Sequence, residues 1–251
     1  MVRIAYSSKT DYATITASSE LSSDTPATNV AHDFLSRYWS STGTSGAAVD
    51  EYLYFDFSSP QNLTCLFLFD HTLSANGTAT LEAGSTTGYS DFSIVLTRTD
   101  HVLMAFFSET WQYWRVHFQD PPGGSGWIRI GRLFGGTYFE PSRNFRNHFR
   151  RKLIDPSESG EAESGERYWN IRKELWEITL EFHLLPESLQ DSFENIFRTV
   201  GNHQPFVLSL DPQNHPAEWS HYVLLATPLE FAVQLLDRAN FSLEFREMMR
   251  V

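Results

Sequence analysis

Apolar and polar residues alternate along most of the chain with a period of two. In YLYFDF, Leu53, Phe55 and Phe57 fall on one side while Tyr52, Tyr54 and Asp56 fall on the other, the pattern of a strand with one buried face. LTCLFLF, ATLEA, FSIVLT, VLMAFF, YWRVHF and WIRIG continue the series at roughly 8–12-residue spacing, with Gly, Pro, Asn or Ser between them. Asn76-Gly77 marks a tight turn. Up to residue 140 the pattern predicts a sandwich or barrel, with only a short helical turn around Val30 to Tyr38.

Beyond that point the character changes. RNFRNHFRRK (143–152) is basic and aromatic, and DPSESGEAESGER (155–167) is acidic with no apolar face to bury. The expectation is a long exposed loop over 143–172, mobile when the protein is alone. ELWEITLEF then alternates again, with Trp176, Ile178, Leu180 and Phe182 inward. In PESLQDSFENIFRTVG, residues Leu189, Phe193, Ile196, Phe197 and Val200 form one helical stripe, which predicts a helix over about 186–200. Pro186 and Glu187 suit its first turn, Arg198 its last, and Gly201 the position after it. PFVLSLDP, HYVLLA, LEFAVQLL and NFSLEF read as four more strands. The predicted organisation is a β-sandwich over 1–140 and a second β domain with one helix over 141–251, a mainly β protein.

Composition sharpens this. Aromatic residues make up 15%, which suits pleated, half-buried surfaces. A formal net charge of −12 argues against coating nucleic acid, which needs clustered Lys and Arg. No window approaches the ~18 apolar residues of a membrane span, and the N-terminus lacks a signal-peptide run; the expectation is a soluble chain made in the cytoplasm. The single cysteine, Cys65, lies in an apolar run and reads as a buried filler.

Candidate chemistry is sparse. GSGWIRIG resembles a phosphate loop only superficially, because Trp127 to Gly131 continue as strand where a helix would have to begin. The histidines show no metal-ligand spacing, no G-x-S-x-G occurs, and no carboxylate pair is marked out. The expectation is no catalytic residue, no cofactor and no metal. Two surfaces remain. Arg143, Phe145, Arg146, Phe149, Arg150, Arg151 and Lys152 form either a solvated loop or a subunit contact, with Glu161 and Glu163 of the acidic segment as the complementary side. Tyr52, Tyr54, Trp111 and Trp127 are candidates for stacking on sugar faces, against the simpler reading of core or interface.

TPATNVAHDFLSRYWSST, EYLYFDFSSPQNLTCLFLFDHTLS, YWRVHF and WIRIGRLF together resemble the discoidin-like, galactose-binding-like jelly roll, with Asn29, Asp33, Trp39, Asp56 and Trp114 in the matching places. That likeness covers roughly residues 15 to 135. The jelly roll followed by GRLFGGTYFEPSRNF, and then by PESLQDSFENIFRTVGNHQPFVLSLDP, resembles distal tail and baseplate hub proteins of tailed bacteriophages, whose ring domain has a tail-tube-like fold. The resemblance implies a structural virion protein at the tail tip. It also implies a closed sixfold ring of identical subunits, with tail tube protein, baseplate hub and tail-fibre or receptor-binding proteins as partners and DNA only as passing cargo. The alternative it leaves open is a carbohydrate-binding module that attaches to a host glycan.

Overall fold

The computed structural model describes residues 1–145, 149–235 and 238–248, with side chains for all of these but 233–235. The chain divides into two units: Arg3–Phe139 with Ser209–Ser220, and Met1–Val2 with Glu140–Leu208 and His221–Val251.

In the first unit the strands are β1 (Arg3–Ser8), β2 (Thr14–Ala17), β3 (Trp39–Ser40), β4 (Val49–Asp56), β5 (Gln61–His71) and β6 (Thr78–Gly84). They are followed by β7 (Phe92–Val95), β8 (Thr97–Arg98), β9 (Val102–Trp111), β10 (Tyr113–Asp120) and β11 (Arg129–Phe139). One antiparallel sheet runs β2-β4-β10-β6-β7. The other runs β1-β11-β5-β9-β8, with β3 paired to β11. Leu53, Phe55, Leu81, Trp114, Val116 and Phe118 from the first sheet meet Leu63, Leu66, Leu68, Leu103 and Leu133 from the second in a single core that also takes Trp39. This is the sandwich expected from the alternation. Trp39 and Trp114 are fully buried, and truncating a buried Trp to Ala costs about 3–5 kcal/mol.

β5 shows no alternation because Cys65, Phe67 and Phe69 are buried as completely as Leu66 and Leu68. β1 and β2 are additions to the expected strands. In β1, Ile4 and Ala5 are both buried, so adjacent residues rather than alternate ones are apolar.

The PPGGSG loop joins β10 to β11. Gly123 and Gly126 hold φ of 109° and 82° there, conformations that favour glycine. Gly126 also has no room for a side chain: a Cβ would lie 1.9 Å from the Thr44 carbonyl oxygen. At Gly43 a Cβ would lie 1.9 Å from the Gly126 carbonyl oxygen. These glycines let two loop backbones touch, and strand rather than helix follows them.

The second unit contains β12 (Arg150–Ile154), β13 (Glu158–Glu161), β14 (Arg167–Asn170), β15 (Leu175–Pro186), helix α1 (Glu187–Val200), β16 (Phe206–Ser209), β17 (Ser220–Leu225), β18 (Ala232–Leu235) and β19 (Arg238–Glu247). Its sheet follows the order β12-β15-β19-β17-β16, with β18 also on β19. α1 buries Leu189, Phe193, Ile196 and Val200 of the predicted stripe, leaves Phe197 half-buried, and ends at Gly201 with φ 55°. Phe193 packs 5.0 Å from Phe182 and 4.9 Å from Phe241, ring centre to ring centre, which seats the helix on β15 and β19. No helix among the described residues is long and apolar enough to cross a membrane.

The expected loop over 143–172 is corrected. β12 pairs with β15 from Arg150↔Thr179 to Ile154↔Leu175, and β13 and β14 form a separate two-stranded hairpin. Backbone bonds close the ladder without an apolar face. The hairpin turns through Ala162 N–H to Glu166 O at 2.8 Å, with Gly165 at φ 82°.

Candidate functional site

The outward face of the five-stranded sheet carries aromatic and charged residues that the alternation of β4, β10 and β6 aims the same way. Register sets His117 opposite Tyr52, and Arg115 between Tyr54 and Glu82. The Tyr52 ring stacks on His117 at 4.3 Å and 11°, and on Tyr54 at 5.9 Å and 14°. Tyr89, which reaches the cluster from the β6–β7 turn with φ 52°, lies 5.7 Å from Tyr54. A non-glycine residue at positive φ is strained, and such strain concentrates where a side chain must be aimed.

Arg115 sits among these rings. Its guanidinium carbon is 4.8 Å from the centres of both Tyr52 and Tyr89, and its Nε donates to Glu82 Oε2 at 2.6 Å. The two Nη groups make no hydrogen bond among the described residues, and the side chain remains 24% exposed. At the rim His117 Nε2 meets Asp50 Oδ1 at 2.5 Å.

Titration follows the same crowding. Burial raises the Asp56 carboxyl above the usual range, partly opposed by the Trp114 N–H at 3.3 Å and the Tyr89 hydroxyl. Burial, with Asp56 and Tyr54 beside it, pushes the Tyr89 phenol up to about 12. Burial and the Asp50 charge raise Tyr52 as well. Clustered perturbation of this kind marks binding sites more often than plain surface, although structural ladders also produce it. Among the described residues no group of three or more His, Cys, Asp or Glu is placed to hold a metal ion.

The other stacking candidates lie elsewhere. Trp111 packs against the sandwich core and donates to Glu109 at 3.1 Å, and Trp127 stands in the β10–β11 loop, 36% exposed. The resemblance residues are structural. Asn29 Nδ2 donates to the Asp24 and Tyr38 carbonyls at 3.0 Å each, and Asp33 lies 3.6 Å from the buried Arg132.

The interface candidates are split by the second unit. Phe145 packs on Phe149 at 5.2 Å and on Phe182 at 6.5 Å, so both rings are engaged within the chain. Arg151 lies 4.3 Å over Trp176, and burial lowers its pKa against the pull of Glu247. Arg143 donates to the Leu184 carbonyl at 2.9 Å. Arg146 lies outside the described residues. Arg150 remains exposed on β12, and Lys152, also exposed, has Glu177 3.9 Å away. Glu161 and Glu163 are exposed on the hairpin.

Tyr168 and Trp169 on β14, and Ile171 beyond it, lie outside the expected contact residues and are 62%, 63% and 83% exposed. Tyr168 lies across Gly160, where a Cβ would fall 2.3 Å from its ring, so the glycine makes room for the aromatic. Three apolar residues within RYWNI were the available signal, obscured by the polar run before them.

No family model matches the chain, and no curated protein matches it. Among solved structures, the chain is similar to chitosan-binding module 1 of a chitosanase/glucanase from Paenibacillus sp. IK-5, with 18% identity over 50% of this chain and 96% of that one, at a TM-score of 0.40. It is similar to the family 32 carbohydrate-binding module of NanJ from C. perfringens, solved with galactose, with 14% identity over 55% and 100% of the two chains and a TM-score of 0.39. A putative alpha-L-fucosidase from Bacteroides thetaiotaomicron is matched at 12% identity over 52% of this chain and 28% of that one, at a TM-score of 0.41.

Proposed function

We propose that the sandwich unit is a non-catalytic carbohydrate-binding module whose binding face is the cluster of Tyr52, Tyr54, Tyr89, Glu82 and Arg115. The observation that carries this is Arg115, held between two rings and Glu82 while its Nη groups stay unbonded among the described residues. A sugar offers vicinal hydroxyls that accept from such a planar fork, and Glu82 and the phenols supply the matching acceptors and donors. Because the side chains already fix one another, little further ordering is needed on binding. A glycan array followed by calorimetry on any sugar retained tests the proposal. Arg115→Ala and Tyr52→Ala should weaken binding at least about tenfold, near 1.4 kcal/mol, with the fold intact by circular dichroism. Full retention in both variants, or no bound glycan, defeats the reading.

A second reading is favoured by the β13–β14 hairpin. It is a free-standing ladder with exposed Tyr168 and Trp169, acidic through Glu158, Glu161, Glu163 and Glu166, while the edge strand β12 shows Arg150 and Lys152. An acidic, aromatic arm and a basic edge suit head-to-tail contact between copies, as in a ring subunit of a phage tail tip. Native mass spectrometry decides this: closed oligomers lost on deleting 158–170 support it, and a strict monomer rejects it.

A further inference from the structure

β19 has two edges. One pairs with β15 from Pro186↔Arg238 to Glu177↔Arg246. The other pairs with β18 at residues 238–240 and with β17 at residues 245–247. Between these two blocks the chain leaves β17, runs through 227–231 without strand pairing, with the Phe231 ring 5.1 Å from Phe241, and returns as β18. The last ties before the gap are Ala226 N–H to the Glu244 carbonyl at 2.7 Å and Glu244 N–H to Thr227 Oγ1 at 3.4 Å.

Alternate residues of an antiparallel strand turn their N–H and C=O groups to the same edge. Glu244 turns both its C=O, to Ala226 N–H, and its N–H, to Thr227 Oγ1, to this edge, so Ser242, two residues away and of the same parity, faces the gap. It has no ladder partner there among the described residues. The gap is a cleft of about 510 Å³ with Phe182, Phe241 and Pro228 among its lining. Glu181, Glu230 and Glu244 also line it, together with His183, whose Nε2 lies 3.7 Å from Glu181 Oε2, and among the described residues no Arg or Lys does.

We propose that this cleft binds an extended segment of a partner protein bearing Lys or Arg. The segment adds backbone bonds to β19 at Ser242 and sets its cations among the three carboxylates. Strand addition supplies affinity through main-chain bonds, and the acidic lining selects charge. At about 3.3 Å per residue, the break over 241–243 accepts three to four residues of an incoming strand.

The test uses the whole protein and two capped peptides of alternating Val and charged residues, one with Lys and Arg, the other with Glu. Fluorescence anisotropy should show saturable binding of the basic peptide alone, weakened about tenfold by Glu230→Lys. Ala232→Trp, which puts a large side chain at an exposed cleft position, should block it. Amide exchange at Ser242 should slow when the basic peptide is bound. Arg115→Ala, in the other unit, should leave peptide binding unchanged, which separates this outcome from that of the sugar site. No saturable binding by the basic peptide, equal binding of both peptides, or binding unmoved by both cleft variants overturns the proposal.

Discussion

Arg132 allows a prediction whose order runs against side-chain size. Its side chain is 1% exposed, and its two Nη atoms reach Asp11 Oδ1 and Oδ2 at 2.7 and 2.8 Å. Nη1 also donates to the Val30 carbonyl at 3.1 Å, while Asp33 stands 3.6 Å from Nη2. Asp11 is different: it is 26% exposed and accepts from Ser8 Oγ at 2.8 Å. Removing Asp11 takes the bidentate carboxylate from a cation almost without water and leaves it Asp33 at 3.6 Å, whereas removing Arg132 leaves a carboxylate that solvent still reaches. Breaking a buried pair by deleting one partner costs about 3–5 kcal/mol, and the exposure of Asp11 places this one near the low end. Asp11→Ala should therefore cost about 3 kcal/mol. Arg132→Met should cost about half of that, although it alters the larger side chain and frees the Val30 carbonyl. The double variant should cost less than the sum of the two, because the buried cation that lost its bidentate partner is gone. Urea unfolding followed by tryptophan fluorescence reads all three, with the dependence on denaturant unchanged. Thermal midpoints should fall by about 2–4 °C per kcal/mol. If Asp11→Ala stays within about 0.5 kcal/mol of the parent, or costs less than Arg132→Met, the assignment of Arg132 as a charge dependent on Asp11 is refuted.

Three further predictions concern buried or half-buried groups. Glu247, 5% exposed at its side chain, accepts from Trp176 N–H at 3.0 Å and meets His221 Nδ1 at 3.2 Å; Glu247→Ala should cost about 3 kcal/mol in the same unfolding assay. Burial pushes the Cys65 thiol up to about 12, so a thiol-specific disulfide reagent should leave the native protein untouched at mildly alkaline pH and titrate one thiol in denaturant. Asp56 carries a raised folded-state pKa, so its contribution to stability is fully present below the ordinary carboxylate pKa and is lost as pH rises through the folded value. Asp56→Asn should remove that slope and leave the protein at least as stable at neutral pH; a variant with the parent's pH profile contradicts this.

What the sequence disclosed depended on whether a strand has one polar face. YLYFDF has one, and β4 buries Leu53 and Phe55, with Phe57 buried just beyond its end, as the alternation requires. β1 lacks that contrast and passed unseen. The polar segment before Tyr168 offered no hydrophobic signal, yet backbone bonds and Gly165 suffice for a hairpin. Alternation also turned Tyr52 and Tyr54 outward correctly. It had no means of bringing Arg115, Tyr89 and Glu82 to them, because those neighbours come from strand register and from a turn residue at positive φ. Arg132 lay hidden for the opposite reason: in WIRIGRLF it occupies the phase of Ile128 and Ile130, where a charge is read as a break in the pattern.

The mutual contact of Gly43 and Gly126 bears on how this scaffold can be re-engineered. Neither loop tolerates a Cβ at the crossing, since each would strike the other's backbone at 1.9 Å. The segments 42–48 and 121–127 therefore cannot be diversified one at a time. A library that randomises one of them across its glycine is expected to yield mostly misfolded clones, and a grafted specificity loop has to replace both segments as a matched set or leave the crossing intact.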